Sequence, residues 1–159
     1  YVSYTFSYYG EMLTYAGMSL PMAVFSFIAW LKNPFRGNKS EVSVNEGIPR
    51  GEYVFLIKLT AVVTAVFYFI LKFFNTANIV PSTISVTTSF AAIYLTFRRS
   101  PLYALAYAAN DIVLIVLWTL AAFEDVSYFS VVICFAAFFA NDIYGYMNWK
   151  RISARQCAE

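Results

Sequence analysis

Apolar residues in this chain arrive in long uninterrupted runs, with polar residues gathered in short clusters between them. Five such runs stand out, at 12–31, 53–74, 79–97, 102–123 and 128–149. A hydrocarbon core about 30 Å thick takes roughly 20 helical residues at about 1.5 Å each, which is the length of these runs. Their boundaries are residues that stop helices or hold polar caps: Lys32-Asn33-Pro34, Asn75 to Asn78, Arg98-Arg99-Ser100-Pro101 and Glu124-Asp125-Val126-Ser127. Ser100-Pro101 reads as an N-cap and first-turn pair for the fourth run. The runs are apolar nearly all round and lack the single stripe that a helix on a soluble core shows. The pattern therefore predicts an all-α integral membrane protein with about five transmembrane helices.

Composition sharpens this. Hydrophobic residues make up 60% of the 159 positions and charged residues 13%, about half the charge of an ordinary soluble domain. The mean hydropathy is +0.61. A net charge of +2 looks mildly basic, but the cations sit in clusters beside apolar runs and form no aromatic-interleaved face, so no nucleic-acid partner is expected. Tyr1, Tyr4, Tyr8, Tyr9, Phe73-Phe74, Tyr128 and Trp149 gather at run ends, as an interfacial aromatic belt does. Cys134 lies inside an apolar run and Cys157 in the polar tail, at different levels, so no bridge is expected between them.

Lysine and arginine set the orientation. Lys32, Arg36, Lys39 and Arg50 lie between runs one and two, Arg98 and Arg99 between three and four, and Lys150, Arg151 and Arg155 after five. All fall on one side, while the other carries Lys72 and the acidic Glu124-Asp125 loop. The positive-inside rule then predicts a cytoplasmic carboxyl terminus and an outer Tyr1. Residues 32–52 form the one sizeable loop and read as a cytoplasmic linker.

Runs four and five share a motif. Ala109-Asn110-Asp111-Ile112 precedes Trp118, and Ala140-Asn141-Asp142-Ile143 precedes Trp149, with the copies offset by 31 residues. Consecutive spans are antiparallel, so both Asn-Asp pairs reach the middle of the bilayer, where a carboxylate costs about 2.5–3.5 kcal/mol and is expected to face inward. Asn141, Tyr144 and Asn148 follow at helical steps, as do Asn110, Leu114 and Trp118. Such stripes of amide, phenol and indole groups suit a pocket or pathway; the competing reading is that Asn and Asp hydrogen-bond helix to helix. The third run, with Ser82, Thr83, Ser85, Thr87, Thr88 and Ser89, offers hydroxyls for back-bonding, close helix approach or ligand contact. Thr88 joins the candidates. Lys58, five residues into run two, can snorkel to the interface; the alternative is a Schiff-base lysine. Pro21 and Pro81 can bend their spans.

Absences narrow the function. There is no histidine, which excludes HExxH zinc sites, Ser-His-Asp triads and histidine proton relays. Neither phosphate-binding glycine signature occurs, and nothing flanking Asp111 and Asp142 supports their use as a catalytic pair. No enzyme activity, metal or cofactor is expected.

Asn110-Asp-Ile-Val-Leu-Ile-Val-Leu-Trp118, the stretch from Cys134 through Asn141-Asp-Ile-Tyr144-Gly-Tyr-Met-Asn148-Trp149, and Ser26-Phe-Ile-Ala-Trp30-Leu-Lys-Asn-Pro34 together resemble the PnuC-type nicotinamide riboside transporters. Tyr9-Gly10-Glu11-Met12 and Arg98-Arg99 are similar too. The resemblance implies a seven-helix SWEET-like bundle of two three-helix repeats flanking a linking helix. On that template residues 1–31 hold the last helix of the first repeat, 32–52 a cytoplasmic loop, 53–74 the linker helix, 79–149 the second repeat and 150–159 a cytoplasmic tail. Two helices are then expected upstream of Tyr1. The resemblance further implies a homotrimer in the cell inner membrane and facilitated diffusion of the riboside, trapped by a cytoplasmic kinase; relatives carry thiamine or riboflavin. A flat pyridinium cation would find aromatic faces, amides and carboxyls in Asn110, Asp111, Trp118, Asn141, Tyr144, Asn148 and Thr88. Eight residues before Trp30 stands Met22, where the later repeat has Asn141, so a two-fold symmetric pocket is excluded. A non-transporting scaffold is the alternative.

Overall fold

The computed structural model describes residues 12, 15–45, 47–76 and 78–158. Tyr1, Tyr4, Tyr8, Tyr9 and the Tyr9-Gly10-Glu11 stretch lie outside the described residues. A π-helical turn, Tyr15–Ser19, leads into α1, Leu20–Leu31. After a two-stranded hairpin, β1 Pro34–Phe35 and β2 Asn38–Val42, come α2 Arg50–Phe73, α3 Ile79–Phe97, α4 Leu102–Ala122 and α5 Phe129–Ala158. Four of these, α2 to α5, are long and apolar enough to cross a membrane; the described part of the first run, Ala16–Leu31, is shorter.

Local chemistry accounts for the details that the runs alone left open. Pro21 has no N–H, and its ring would crowd the carbonyl of Gly17 four residues earlier in a regular α-helix. The wider π turn spanning Gly17 relieves that crowding, so the proline acts through the turn before it and not as a mid-span kink. Residues 34–42, read as plain linker, fold into the hairpin because Arg36 and Gly37 both take positive φ, +47° and +80°, the conformation that two-residue hairpin turns demand. Pro101, and not Ser100, occupies the cap position of α4, while buried Ser100 accepts a hydrogen bond from the Tyr103 N–H through its carbonyl at 3.1 Å. No glycine or proline follows Trp149, so α5 runs on to Ala158 and reaches about 45 Å, beyond a bilayer core of about 30 Å.

Helix α3 is central. It packs against α1, α2 and α4, and α4 packs in turn on α5. Buried positions concentrate on α3 and α4, whereas Ile57, Val62, Phe69 and Ile133 point outward, as lipid-facing residues do. The hydroxyls of α3 are largely spent. Thr83, Thr87 and Thr96 donate to the carbonyls of Ile79, Thr83 and Ala92, and Thr87 also meets Thr64 of α2 at 2.8 Å. Since the Thr87 proton goes to its own helix, the Thr64 hydroxyl is the donor in that pair.

One end of the bundle is knitted by polar contacts. Arg98 pairs with Glu52 (Nη2 to Oε2, 2.7 Å), which also accepts from the Tyr94 hydroxyl at 3.0 Å. The Asn45 N–H donates to the Arg99 carbonyl, and Arg99 donates to Ser43. Gln156 on α5 holds the hairpin by donating to Glu41 and Val42 and accepting from the Val44 N–H at 2.9 Å; Arg155 also pairs with Glu41. This is the hairpin end. Cys134 and Cys157 are free thiols.

Candidate functional site

A cavity of about 540 Å³ opens where α1, α3, α4 and α5 meet. Helix α4 supplies a stripe at helical steps, Tyr103, Tyr107, Asn110, Asp111 and Leu114; α5 supplies Phe135, Phe138, Asn141 and Asp142; Ser19, Ala23, Ser89 and Ile93 complete the wall. The antiparallel packing of α4 on α5 sets these levels. Gly145 lets the helices come close: a Cβ built there would sit 3.9 Å from the Ala104 Cβ. One turn nearer the hairpin end, Trp149 meets Tyr103 edge to face, centroids 5.0 Å apart. In the other direction the same register brings the carboxyls of Asp111 and Asp142 into interaction, with Asn141 beside Asp142.

Asn110 is 6% exposed, and its Oδ1 faces three α3 hydroxyls: Thr88 at 2.8 Å, Ser89 at 3.0 Å and Ser85 at 3.2 Å. An amide oxygen has two lone pairs, so two of the three donate at once. This amide does what the helix-packing reading expects, and it also lines the void. Asp111 differs. It is buried, its Oδ2 has no hydrogen-bond partner among the described residues, and it borders the cavity. A buried acceptor left unmatched beside an open volume is the feature most in need of a ligand, since each such group otherwise costs about 1–3 kcal/mol.

Of the residues singled out from sequence, Asn110, Asp111 and Asn141 come together at the cavity. Thr88 stands behind it and holds Asn110. Trp118 is buried further along α4, packed with Leu114, Leu117 and Ala121 and set 5.5 Å from the Tyr128 ring. Tyr144 is 62% exposed and Asn148 is also exposed; neither lines the cavity. The inward face of α5 is instead Phe135, Phe138, Asp142, Gly145 and Trp149, rotated by one residue from the Asn141-Tyr144-Asn148 stripe. Lys58 is exposed on α2, away from the cavity. Sequence reasoning passed over Tyr103 and Tyr107, although their spacing from Asn110 and Asp111 places them on the same helical face.

Aromatic groups close the cavity toward the hairpin end. Trp30 lies 5.3 Å from Trp149, and its Nε1 donates to the Thr96 carbonyl at 3.0 Å. Beyond these two rings is a second, smaller space of about 310 Å³, lined among others by Trp30, Trp149, Ser40, Glu41 and Ile152.

Comparison with known proteins agrees with this architecture. A nicotinamide riboside transporter, PnuC, from Neisseria mucosa is 25% identical over 163 aligned residues, covering 100% of this chain and 62% of that relative. The chain thus spans about three fifths of that protein's length. The crystal structure of the vitamin B3 transporter PnuC superposes with a TM-score of 0.78 at 24% identity, over 98% of this chain and 68% of that one, which establishes the shared fold. The family described as nicotinamide mononucleotide transporter matches residues 1–151, and the chain belongs to that family.

Proposed function

We propose that this chain forms part of a membrane carrier that takes up nicotinamide riboside by facilitated diffusion, with Asp111 and Asp142 meeting the cationic ring. One observation carries the choice of the riboside over its phosphorylated form: among the described residues that line it, the cavity has two carboxyl side chains and no lysine or arginine. A phosphate would bring negative charge toward carboxyls with no compensating cation, whereas the riboside is a flat monocation. Its pyridinium suits the Tyr103, Tyr107, Phe135 and Phe138 rings, and its carboxamide and ribose suit Asn110, Asn141 and Ser89. The volume of about 540 Å³ falls within the roughly 300–1,000 Å³ usual for small-molecule sites.

The wider reading follows the resemblance: a SWEET-like arrangement of two three-helix repeats about a linker, with α1 ending the first repeat, α2 as linker and α3 to α5 as the second. It assembles as a homotrimer in the inner membrane, and a cytoplasmic kinase traps the riboside by phosphorylation. The cationic residues Lys32, Arg36, Arg50, Arg98, Arg99, Lys150, Arg151 and Arg155 in the loops and tail of the hairpin end support a cytoplasmic position for that end.

Proteoliposome uptake of radiolabelled riboside, with the mononucleotide, thiamine and riboflavin as competitors, tests the proposal. The riboside should enter and the mononucleotide should compete weakly. Absence of riboside uptake, or competition by the mononucleotide equal to that of the riboside, overturns it.

A further inference from the structure

An aromatic cluster lies between the central cavity and the smaller space at the hairpin end, with a further space of about 230 Å³ beside it that shares Tyr107 with the first and Trp30 with the second. Tyr103 lines the first, Trp30 lines the second, and Trp149 lines the second while packing on both rings. The two indoles are held differently. The N–H of Trp30 is bound to the Thr96 carbonyl, while the indole N–H of Trp149 donates to no protein acceptor among the described residues. Among the described residues Trp149 is held by ring packing on Trp30 and Tyr103, with no hydrogen bond from its indole to break when it turns.

The smaller space also carries a charged group with spare capacity. Arg155 and Gln156 both donate to Oε1 of Glu41, which leaves Oε2 without a hydrogen-bond partner among the described residues. The Gln156 hydrogen bond, helped by Arg155, holds the Glu41 carboxyl below the usual carboxylate range, so it is ionised at neutral pH. Two indole faces beside a carboxylate oxygen form the kind of box that takes flat or quaternary cations. At about 310 Å³ it lies at the small end of ligand sites, large enough for a heteroaromatic head.

We propose that this vestibule under Trp30 and Trp149 is a second, release-side subsite for the same flat cation, reached from the central cavity by rotation of Trp149. The inference rests on the uptake reading given above. Solute leaving the Asp111–Asp142 level exchanges one aromatic and carboxylate environment for another, so the bare cation never crosses an apolar constriction unaccompanied.

Equilibrium dialysis of the purified protein against labelled riboside, carried into the millimolar range, tests this with two variants that leave the central cavity untouched. Glu41→Gln removes the charge, and Ile152→Trp fills the vestibule. The unmodified protein should bind two ribosides per chain, the weaker at least tenfold above the stronger in Kd. Each variant should bind one, with the tight Kd unchanged within about twofold. A stoichiometry of one in the unmodified protein, two in both variants, or loss of both sites from variants that keep their helical circular dichroism overturns the subsite. Failure of the unmodified protein to bind any riboside saturably defeats the uptake reading itself, a separate result.

Discussion

Gly145 offers the sharpest test of how α4 and α5 are set against each other. A methyl group at this position would lie 3.9 Å from the Ala104 Cβ, ordinary van der Waals contact, so Gly145→Ala fits with no movement. It adds dispersion contacts worth about 0.1–0.2 kcal/mol each and removes the backbone penalty of glycine in a helix, up to about 1 kcal/mol. The expected result is a protein unchanged or stabilised by about 0.5–1 kcal/mol. Gly145→Leu is different. Its three further carbons have to be fitted beside an Ala104 Cβ that the first carbon already touches, and overpacking of that kind costs typically about 1–3 kcal/mol. The wedge falls one turn from the Trp149–Tyr103 contact, with its 5.0 Å centroid spacing, and should spread that contact. Thermal unfolding in detergent, followed by helical circular dichroism, measures the first effect. The change in indole emission, with Trp118→Phe as background, reports the second. If Gly145→Ala lowered stability by more than about 1 kcal/mol, or Gly145→Leu were as stable as the parent, the close approach derived from this packing would be refuted.

Three further outcomes follow from the site and its supports. A carboxylate about 5 Å from a cation contributes about 3 kcal/mol at an effective dielectric near 20, so Asp142→Asn should weaken riboside binding by one to two orders of magnitude, read by dialysis; an unchanged Kd would remove Asp142 from the site. Asn110→Ala takes an acceptor from Ser85, Thr88 and Ser89; with interhelical hydrogen bonds in membranes averaging about 0.6 kcal/mol and two made at once, the loss should be about 1 kcal/mol in detergent unfolding. For pH, the folded Glu41 carboxyl is depressed by its Gln156 hydrogen bond, so its contribution to docking the hairpin on α5 is fully present above the unfolded Glu value, about 4.3, and is lost as pH falls through the lower folded value. Hydrogen exchange of the Val44 amide, which donates to Gln156, should stay protected at pH 5 and open only once the pH falls below the ordinary Glu value.

The long apolar runs made the helices legible, because no other structure satisfies backbone groups over such lengths in lipid. The third run matched α3 at both ends, 79–97. Boundaries drifted where interface chemistry decided them: α5 outlasts its apolar run because a polar tail without Gly or Pro remains a good helix former in water. The hairpin escaped notice because its signal is two residues of positive φ, Arg36 and Gly37, and an Arg-Gly pair is a weaker turn mark than Asn-Gly. For the site, the internal repeat located the depth of the polar groups, since a carboxylate in the hydrocarbon has to turn inward. It did not fix the rotation of α5. Asn141-Tyr144-Asn148 and Asp142-Gly145-Trp149 are neighbouring stripes of equal helical spacing, and polarity alone favours the first.

What selects the second stripe is size. Two helices that share a cavity must touch somewhere to hold their spacing, and the touching residues must be small where backbones meet and large where the void is to be closed. Gly145 against Ala104 is the small contact; Trp149 on Tyr103 is the large one, a turn away. Placing Tyr144 and Asn148 inward would put a phenol at the level of closest approach and turn Gly145 out to lipid, which opens α4 from α5 and leaves the cavity without its aromatic floor. The rotation that brings Asp142 to Asp111 is therefore the one that also seals the space beneath them, so the carboxyl pair and its closure are set by a single register between two helices.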